Sequence, residues 1–148
     1  MSKWVDHKSL TFSVSKFADI SADTKRKLKQ MIVAAVSERM KVFNDDHIIF
    51  IAYKNAKPIG MVMLSDISPA RHFPGESKEN TQPYLYNFIC SPQHRPLKAS
   101  VSLMYKVKEY VNENLKKDLN LDIRENDTRA ERFFEKNGFV KTCEWNSP

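Results

Sequence analysis

The residues best placed to do chemistry lie in the second half of the chain, where Tyr84 to Met104 runs YLYNFICSPQHRPLKASVSLM. It is an apolar strand, then a turn, then a polar loop that opens directly into an amphipathic helix. The first backbone N–H groups of such a helix have no partner inside it, and the positive end of the helix dipole points the same way. Arg95 and Lys98 bring two full charges to that place and Ser100 a hydroxyl. The chemistry on offer is the binding of an anion, phosphate above all.

A second strand-like run, Leu119 to Ile123, leads into Asn126 and a short helix, TRAERFFEKNGF, closed by Gly138. Taken together, Ser91-Pro92, Arg95 through Ser100, Asn126, Ala130, Phe133 to Lys136 and Gly138-Phe139 resemble the GNAT superfamily of acyl-CoA N-acyltransferases. In that family a V-x-P-x-x-[RQ]-x-x-G-x-[GA] segment binds the pyrophosphate of coenzyme A, and N-x-x-A-x-x-F-Y-E-K-x-G-F follows it. The second segment is nearly complete here. The first diverges, with Lys98 and Ser100 at the two glycine positions, and Phe134 stands where the family has a tyrosine. In motif terms the resemblance covers the C-terminal half, and the N-terminal half matches in its order of elements.

The resemblance implies an α/β fold, a GNAT-like mixed central sheet with helices on both faces and splayed central strands that form the cofactor cleft. It implies a single N-acetyltransferase-like domain over residues 1–148 that moves an acetyl group from acetyl-CoA to an amine. On the cofactor side it points to Cys90, Arg95, Pro96, Leu97, Lys98, Ala99 and Ser100 around the pyrophosphate, Asn126 on the pantetheine arm, and Phe133 and Lys136. Asn126 is also a good helix N-cap, which is compatible with that role. Family acceptors include polyamines, aminoglycosides, protein amines and charged tRNA, and the acceptor here is an amine of unknown identity.

Proton handling is the part the family pattern leaves open. No carboxylate lies between Tyr84 and Cys90, and strand alternation puts Tyr84 and Tyr86 on one face as candidate catalytic residues. A phenol of pKa about 10 is a poor base, so a water relay or a group from the polar connection between Ser65 and Pro83 is expected: Asp66, His72, Glu76 or Glu79. That connection is long for a compact domain and is placed to act as a lid. Phe134 occupies the position of the family's acid without a proton to give. Tyr105 or water takes over, or the protein binds coenzyme A without catalysing transfer.

Composition narrows the alternatives. With 148 residues, 41% hydrophobic and 28% charged, the chain has the make-up of one ordinary globular domain. A net charge of +6 favours anionic partners, whether a phosphorylated cofactor, nucleic acid or another anionic surface. Against a nucleic-acid-binding protein, the sequence lacks zinc-finger spacing and RRM-type aromatic strand motifs. A non-catalytic module that binds coenzyme A or a macromolecule is the main alternative. Cys90 and Cys143 form no Cys-x-x-Cys pair, so no metal site or disulfide framework is expected and a cytoplasmic location is. No apolar run is long enough to span a bilayer, and the N-terminus carries no secretion signal, so no membrane association is expected.

The elements that must position these groups follow from periodicity. Leu10 to Val14 alternates as a first strand. Ser21 is set to cap a helix whose inner stripe is Leu28, Met31, Ile32, Ala35, Val36 and Met40. His47 to Tyr53 and Pro58 to Leu64 form a hairpin across Asn55-Ala56-Lys57. The helix from Ala99 is expected to bury Val101, Met104, Val107 or the stem of Lys108, Val111 and Leu115, and to cross over to Leu119–Ile123 as a parallel strand. A last helix over Thr128 to Asn137, capped by Asn126 or Asp127, precedes a closing strand over Phe139 to Trp145. A chain that ends so soon leaves a sheet edge to cover, and a homodimer is one way to cover it.

Overall fold

A computed structural model describes residues 10–35, 43–65, 83–91, 98–121, 123 and 127–141. The lid candidates Asp66, His72, Glu76 and Glu79, the loop residues Arg95, Pro96 and Leu97, and also Asn126 and Cys143, lie outside them, as does the part of the expected closing strand beyond Lys141. In chain order the elements are β1 (Leu10–Lys16), α1 (Ala22–Ala35), β2 (Ile48–Lys54), β3 (Lys57–Ser65), β4 (Tyr84–Cys90), α2 (Ala99–Tyr110), β5 (Asn120–Leu121) and α3 (Thr128–Lys136). They build one mixed sheet in the order β1-β2-β3-β4-β5. The first three contacts are antiparallel and the last is parallel.

Strands β2 and β3 are apolar on both faces because both faces are covered, one by α1 and the other by α2. Asn55 and Ala56 join them with φ of 50° and 66° while Lys54 pairs with Lys57. Positive φ at both central positions is the two-residue turn that matches strand twist, so Lys57, expected in the turn, belongs to the strand. On the α1 face, Leu28 and Met31 pack with Ile49, Ile51, Met61, Met63, Tyr84, Tyr86 and Ile89. The helix starts as the sequence suggests, the Ser21 hydroxyl accepting from the Thr24 amide at 3.1 Å. Asp23 pairs with Lys27 at 3.2 Å and with Arg26, which offsets part of the charge that Lys25, Arg26, Lys27 and Lys29 bring to the positive end of the helix dipole.

On the other face, Leu103, Met104, Val107 and Val111 of α2 and its last turn close over Phe50, Val62, Leu64 and Leu85. Val101, expected to be buried, is 46% exposed and Leu103 takes the inward place. The helix VSLMYKV is apolar on more than one stripe, and the sheet selects which stripe faces in. The α3 cap is Asp127, whose carboxylate accepts from the Ala130 amide at 3.1 Å. Gly138, at φ +92°, ends the helix in the left-handed region. Phe139 to Lys141 carries on without strand structure, so no closing strand begins at Phe139.

Candidate active site

Among the described residues, strands β4 and β5 pair over two positions, Tyr84 with Asn120 and Leu85 with Leu121. From Tyr86 onward, no pairing joins β4 to β5 among the described residues. The splayed central strands expected from the sequence are present among the described residues, with the pairing of β4 to β5 reaching as far as Leu85. One residue further on, Asn87 has φ 52°, and the register with β3 slips so that Asn87 and Phe88 together oppose Val62. This bulge resets the alternation of the strand. Tyr84, Tyr86 and then Ile89 face α1, whereas Leu85, Phe88 and Cys90 face α2. An asparagine inside an otherwise apolar strand was the available signal, since asparagine tolerates the left-handed region better than most residues.

The end of β4 is anchored by the Ser91 amide, which donates to the Ile59 carbonyl at 2.7 Å. Cys90 lies opposite Gly60. Its sulfur sits in the space above that glycine beside Leu103, and burial pushes the thiol pKa up to about 12. A thiol that is neutral at physiological pH is a weak nucleophile, so a covalent acyl-cysteine step is disfavoured at this position.

The chain next appears at Lys98, whose φ of 54° and ψ of 35° place it in the left-handed region as the N-cap of α2. That conformation accounts for glycine at this position in the family pattern: a side chain is strained there, and the lysine is tolerated with its side chain exposed. The first internal bond of the helix runs from the Ser102 amide to the Lys98 carbonyl at 3.2 Å. The amides of Ala99, Ser100 and Val101 precede it and are the helix's anion-facing donors. Ala99 is buried, so only its backbone can serve, and no acidic residue stands in the first turn.

On the α2 side of the split, Phe88 meets α3 edge-on. Its ring centroid lies 5.8 Å from Phe133 and 6.0 Å from Phe134, and Phe134 lies 5.5 Å from Phe139. Phe134, the position where the family carries a hydroxyl, thus belongs to an aromatic cluster against β4. Lys136 is exposed in the last turn of α3, where its charge suits the negative end of the dipole.

On the α1 side, the Tyr84 and Tyr86 rings stack with centroids 6.2 Å apart. The Tyr86 hydroxyl lies 2.5 Å from Nδ1 of His47, a residue the sequence reading passed over as the first position of an apolar strand. Burial pushes the Tyr86 pKa up to about 12, while a hydrogen bond from the Asn44 backbone pulls the other way. Among the described residues no three His, Cys, Asp or Glu side chains gather as a metal site would require. A separate cavity of about 710 Å³, with Lys108, Lys116 and Lys117 in its wall, lies at the far end of α2 and not at the split.

The sequence pattern of the acetyltransferase (GNAT) family matches residues 15–139, which takes in every element of the split except the first residues of β1. The chain belongs to that family. No curated protein matches it. Among solved structures, it is similar to an acyl-CoA N-acyltransferase from Pseudomonas aeruginosa, with TM-score 0.68, 18% identity and 92% of each chain covered. It is similar to a predicted acetyltransferase from Clostridium acetobutylicum crystallised with acetyl-CoA, with TM-score 0.61, 17% identity, and 94% of this chain and 95% of that one covered. A third is an aminoglycoside acetyltransferase from an uncultured soil metagenomic sample in complex with sisomicin, with TM-score 0.67, 10% identity, and 95% and 97% covered. At these identities the likeness is one of fold. No helix among the described residues is long and apolar enough to cross a membrane.

Proposed function

We propose that this GNAT chain is an acetyl-CoA-dependent N-acetyltransferase acting on a primary amine. The observation that carries the reading is the short described pairing of β4 with β5, at Tyr84 and Leu85, on a strand that runs on toward the N-terminus of α2. Where β4 runs past its described pairing with β5, its edge can offer backbone donors and acceptors to an extended, amide-bearing ligand. The amides of Ala99, Ser100 and Val101, with Lys98 beside them, suit a diphosphate. The residues present thus fit coenzyme A: β4 from Asn87 to Cys90 for the pantetheine arm, the start of α2 for the pyrophosphate, and Phe88, Phe133 and Phe134 as an apolar wall. Arg95 and Asn126 complete the family pattern by sequence. Bound acetyl-CoA would supply an activated acyl thioester. The chain supplies the fixed edge that orients it, the apolar wall that excludes water, and on the α1 face the polar groups Tyr84 and Tyr86 for the incoming amine.

The net charge of +6 disfavours polycationic acceptors, and we place the acceptor amine on a neutral or anionic carrier. Isothermal titration with acetyl-CoA and with coenzyme A tests the cofactor assignment, and a flat titration with both ends it. Thiol release from acetyl-CoA in the presence of lysine peptides, polyamines and amino sugars then tests transfer.

A second reading, binding of coenzyme A without turnover, is favoured by one observation: Phe134 has no proton for a departing thiolate. Tight binding with no amine acetylated by either the parent or Phe134→Tyr would make it the better one.

A further inference from the structure

His47 stands just before β2, a strand separated from the β4 of Tyr86 by β3, yet its Nδ1 lies 2.5 Å from the Tyr86 hydroxyl and the two rings meet edge to face at 5.5 Å. The pair stands on the α1 face, and its tyrosine directly follows the two residues of β4 that pair with β5, Tyr84 and Leu85. We propose that His47 is the terminal proton acceptor for amine acetylation, working through the Tyr86 hydroxyl as a relay. The inference presupposes the transferase activity proposed for this chain.

The relay requires the tautomer in which the Tyr86 hydroxyl donates to an unprotonated Nδ1; its oxygen accepts from the Asn44 backbone and keeps a second lone pair for the amine proton. A hydroxyl buried to this degree does not ionise near neutrality and cannot serve as a base alone. It can pass a proton on without bearing net charge. As the amine nitrogen forms its bond to the acyl carbon, an amine proton moves to Tyr86 Oη, and the tyrosine's own proton moves to His47 Nδ1, giving imidazolium. The C–S bond breaks with its electron pair on sulfur, so the products are an amide, a thiolate and a protonated histidine. The imidazolium then returns its proton to solvent or to the thiolate. No carboxylate is needed on β4, and none is present there.

The backbone around His47 holds it in place. Its carbonyl accepts from the Phe17 amide at 2.9 Å and its amide donates to the Asn44 carbonyl at 3.1 Å. Among the described residues, the titratable or charged groups around the pair are Tyr84 stacked on Tyr86, Tyr53 in the same cluster, Asp45 and Asp46 in the preceding turn, Lys16 opposite Ile48, and Lys25 over the Phe17 ring. His47 acts through Tyr86 and is a positioning residue, so its test needs a readout that a structural role would not move.

In the parent protein, ¹⁵N NMR of the imidazole at neutral pH is expected to show Nδ1 unprotonated and accepting, with its shift changed by Tyr86→Phe. An Nδ1–H tautomer that ignores Tyr86→Phe overturns the relay whatever the activity. With acetyl-CoA and spermidine, kanamycin or a lysine peptide as acceptor, His47→Asn keeps a hydrogen-bonding group near Nδ1 but cannot take a proton. It is expected to lower kcat about a hundredfold, leave KM for acetyl-CoA within about twofold, and remove the imidazole limb from the acid side of the pH profile. Retention of both kcat and that limb overturns the proposal. If the parent fails to bind acetyl-CoA by calorimetry, it is the transferase reading that falls, and if all three amines are refused the nitrogen shifts decide for His47 alone.

Discussion

Alanine in place of Gly60 would force a methyl group into the seam between β3, β4 and α2. A Cβ there lies 3.0 Å from the Cys90 sulfur and 3.0 Å from Cδ1 of Leu103, with the Ile89 carbonyl at 3.5 Å. Apolar contacts are most favourable near 3.5–4.0 Å, so two neighbours must each give by roughly 0.5–1 Å. Leu103 is fully buried and cannot retreat freely, and Cys90 is the last residue of its strand. Overpacking of this kind costs about 1–3 kcal/mol, and the gain from stiffening a strand glycine returns roughly 0.5–1 kcal/mol. The net loss is about 1–2 kcal/mol, which for a chain of this size lowers Tm by roughly 2–8 °C. Differential scanning calorimetry of Gly60→Ala measures it. The double variant Gly60→Ala with Cys90→Ala removes one of the two clashes and is expected to be less destabilised than the sum of the single changes, by about 0.5–1 kcal/mol. A Gly60→Ala protein as stable as the parent, or strict additivity in the double variant, would refute the steric argument.

Three further outcomes are expected. Lys98→Gly relieves a left-handed side chain and should raise Tm while leaving acetyl-CoA affinity intact in a calorimetric titration; a large loss of affinity would show that the lysine itself grips phosphate. Cys90 and Tyr86 are both held neutral in the folded state, with pKa pushed up to about 12, so each contributes stability that is whole below its ordinary pKa and lost as pH rises toward 12. Urea midpoints should therefore fall from about pH 9 upward, less so in Cys90→Ala; in a Cys143→Ser background, iodoacetamide should label Cys90 far more slowly than free cysteine. Phe134→Tyr places a hydroxyl on a ring 6.0 Å from Phe88 at the split and should raise turnover about tenfold, or about 1.4 kcal/mol in the barrier, with coenzyme A affinity unchanged; no change in kcat would move the acid elsewhere.

Much of this architecture was legible because its signals are local. The bounds of β4, the start of α2 and the glycine stop of α3 follow from apolar runs broken by Pro, Gly and polar clusters. What stayed hidden depends on partners distant in the chain. The bulge at Asn87 exists only against Val62 of β3, and the His47–Tyr86 bond joins residues 39 apart. Val101 and Leu103 are equally apolar, and only the sheet beneath α2 decides which of them is covered. Asn126 and Asp127 are equally good caps by type, and the geometry chose Asp127. Lys98 is the reverse case: departure from a glycine pattern marked in advance a residue now found in the left-handed region.

The two-position contact between β4 and β5 also bears on how the molecule breathes. Among the described residues, each antiparallel contact of the sheet is secured by five or more residue pairs and the β5 contact by two, and β5 is reached only across the whole of α2. Regions with few shared contacts open at a smaller free-energy cost than the global transition, so the slackest joint of the sheet is the wall of its own cleft. A ligand that hydrogen-bonds along β4 beyond that contact and touches the far wall adds rungs to the joint. Occupancy and closure of that joint are then thermodynamically linked, and the amides of β5 become a reporter of what lies in the cleft, slow to exchange when it is filled and quick when it is not.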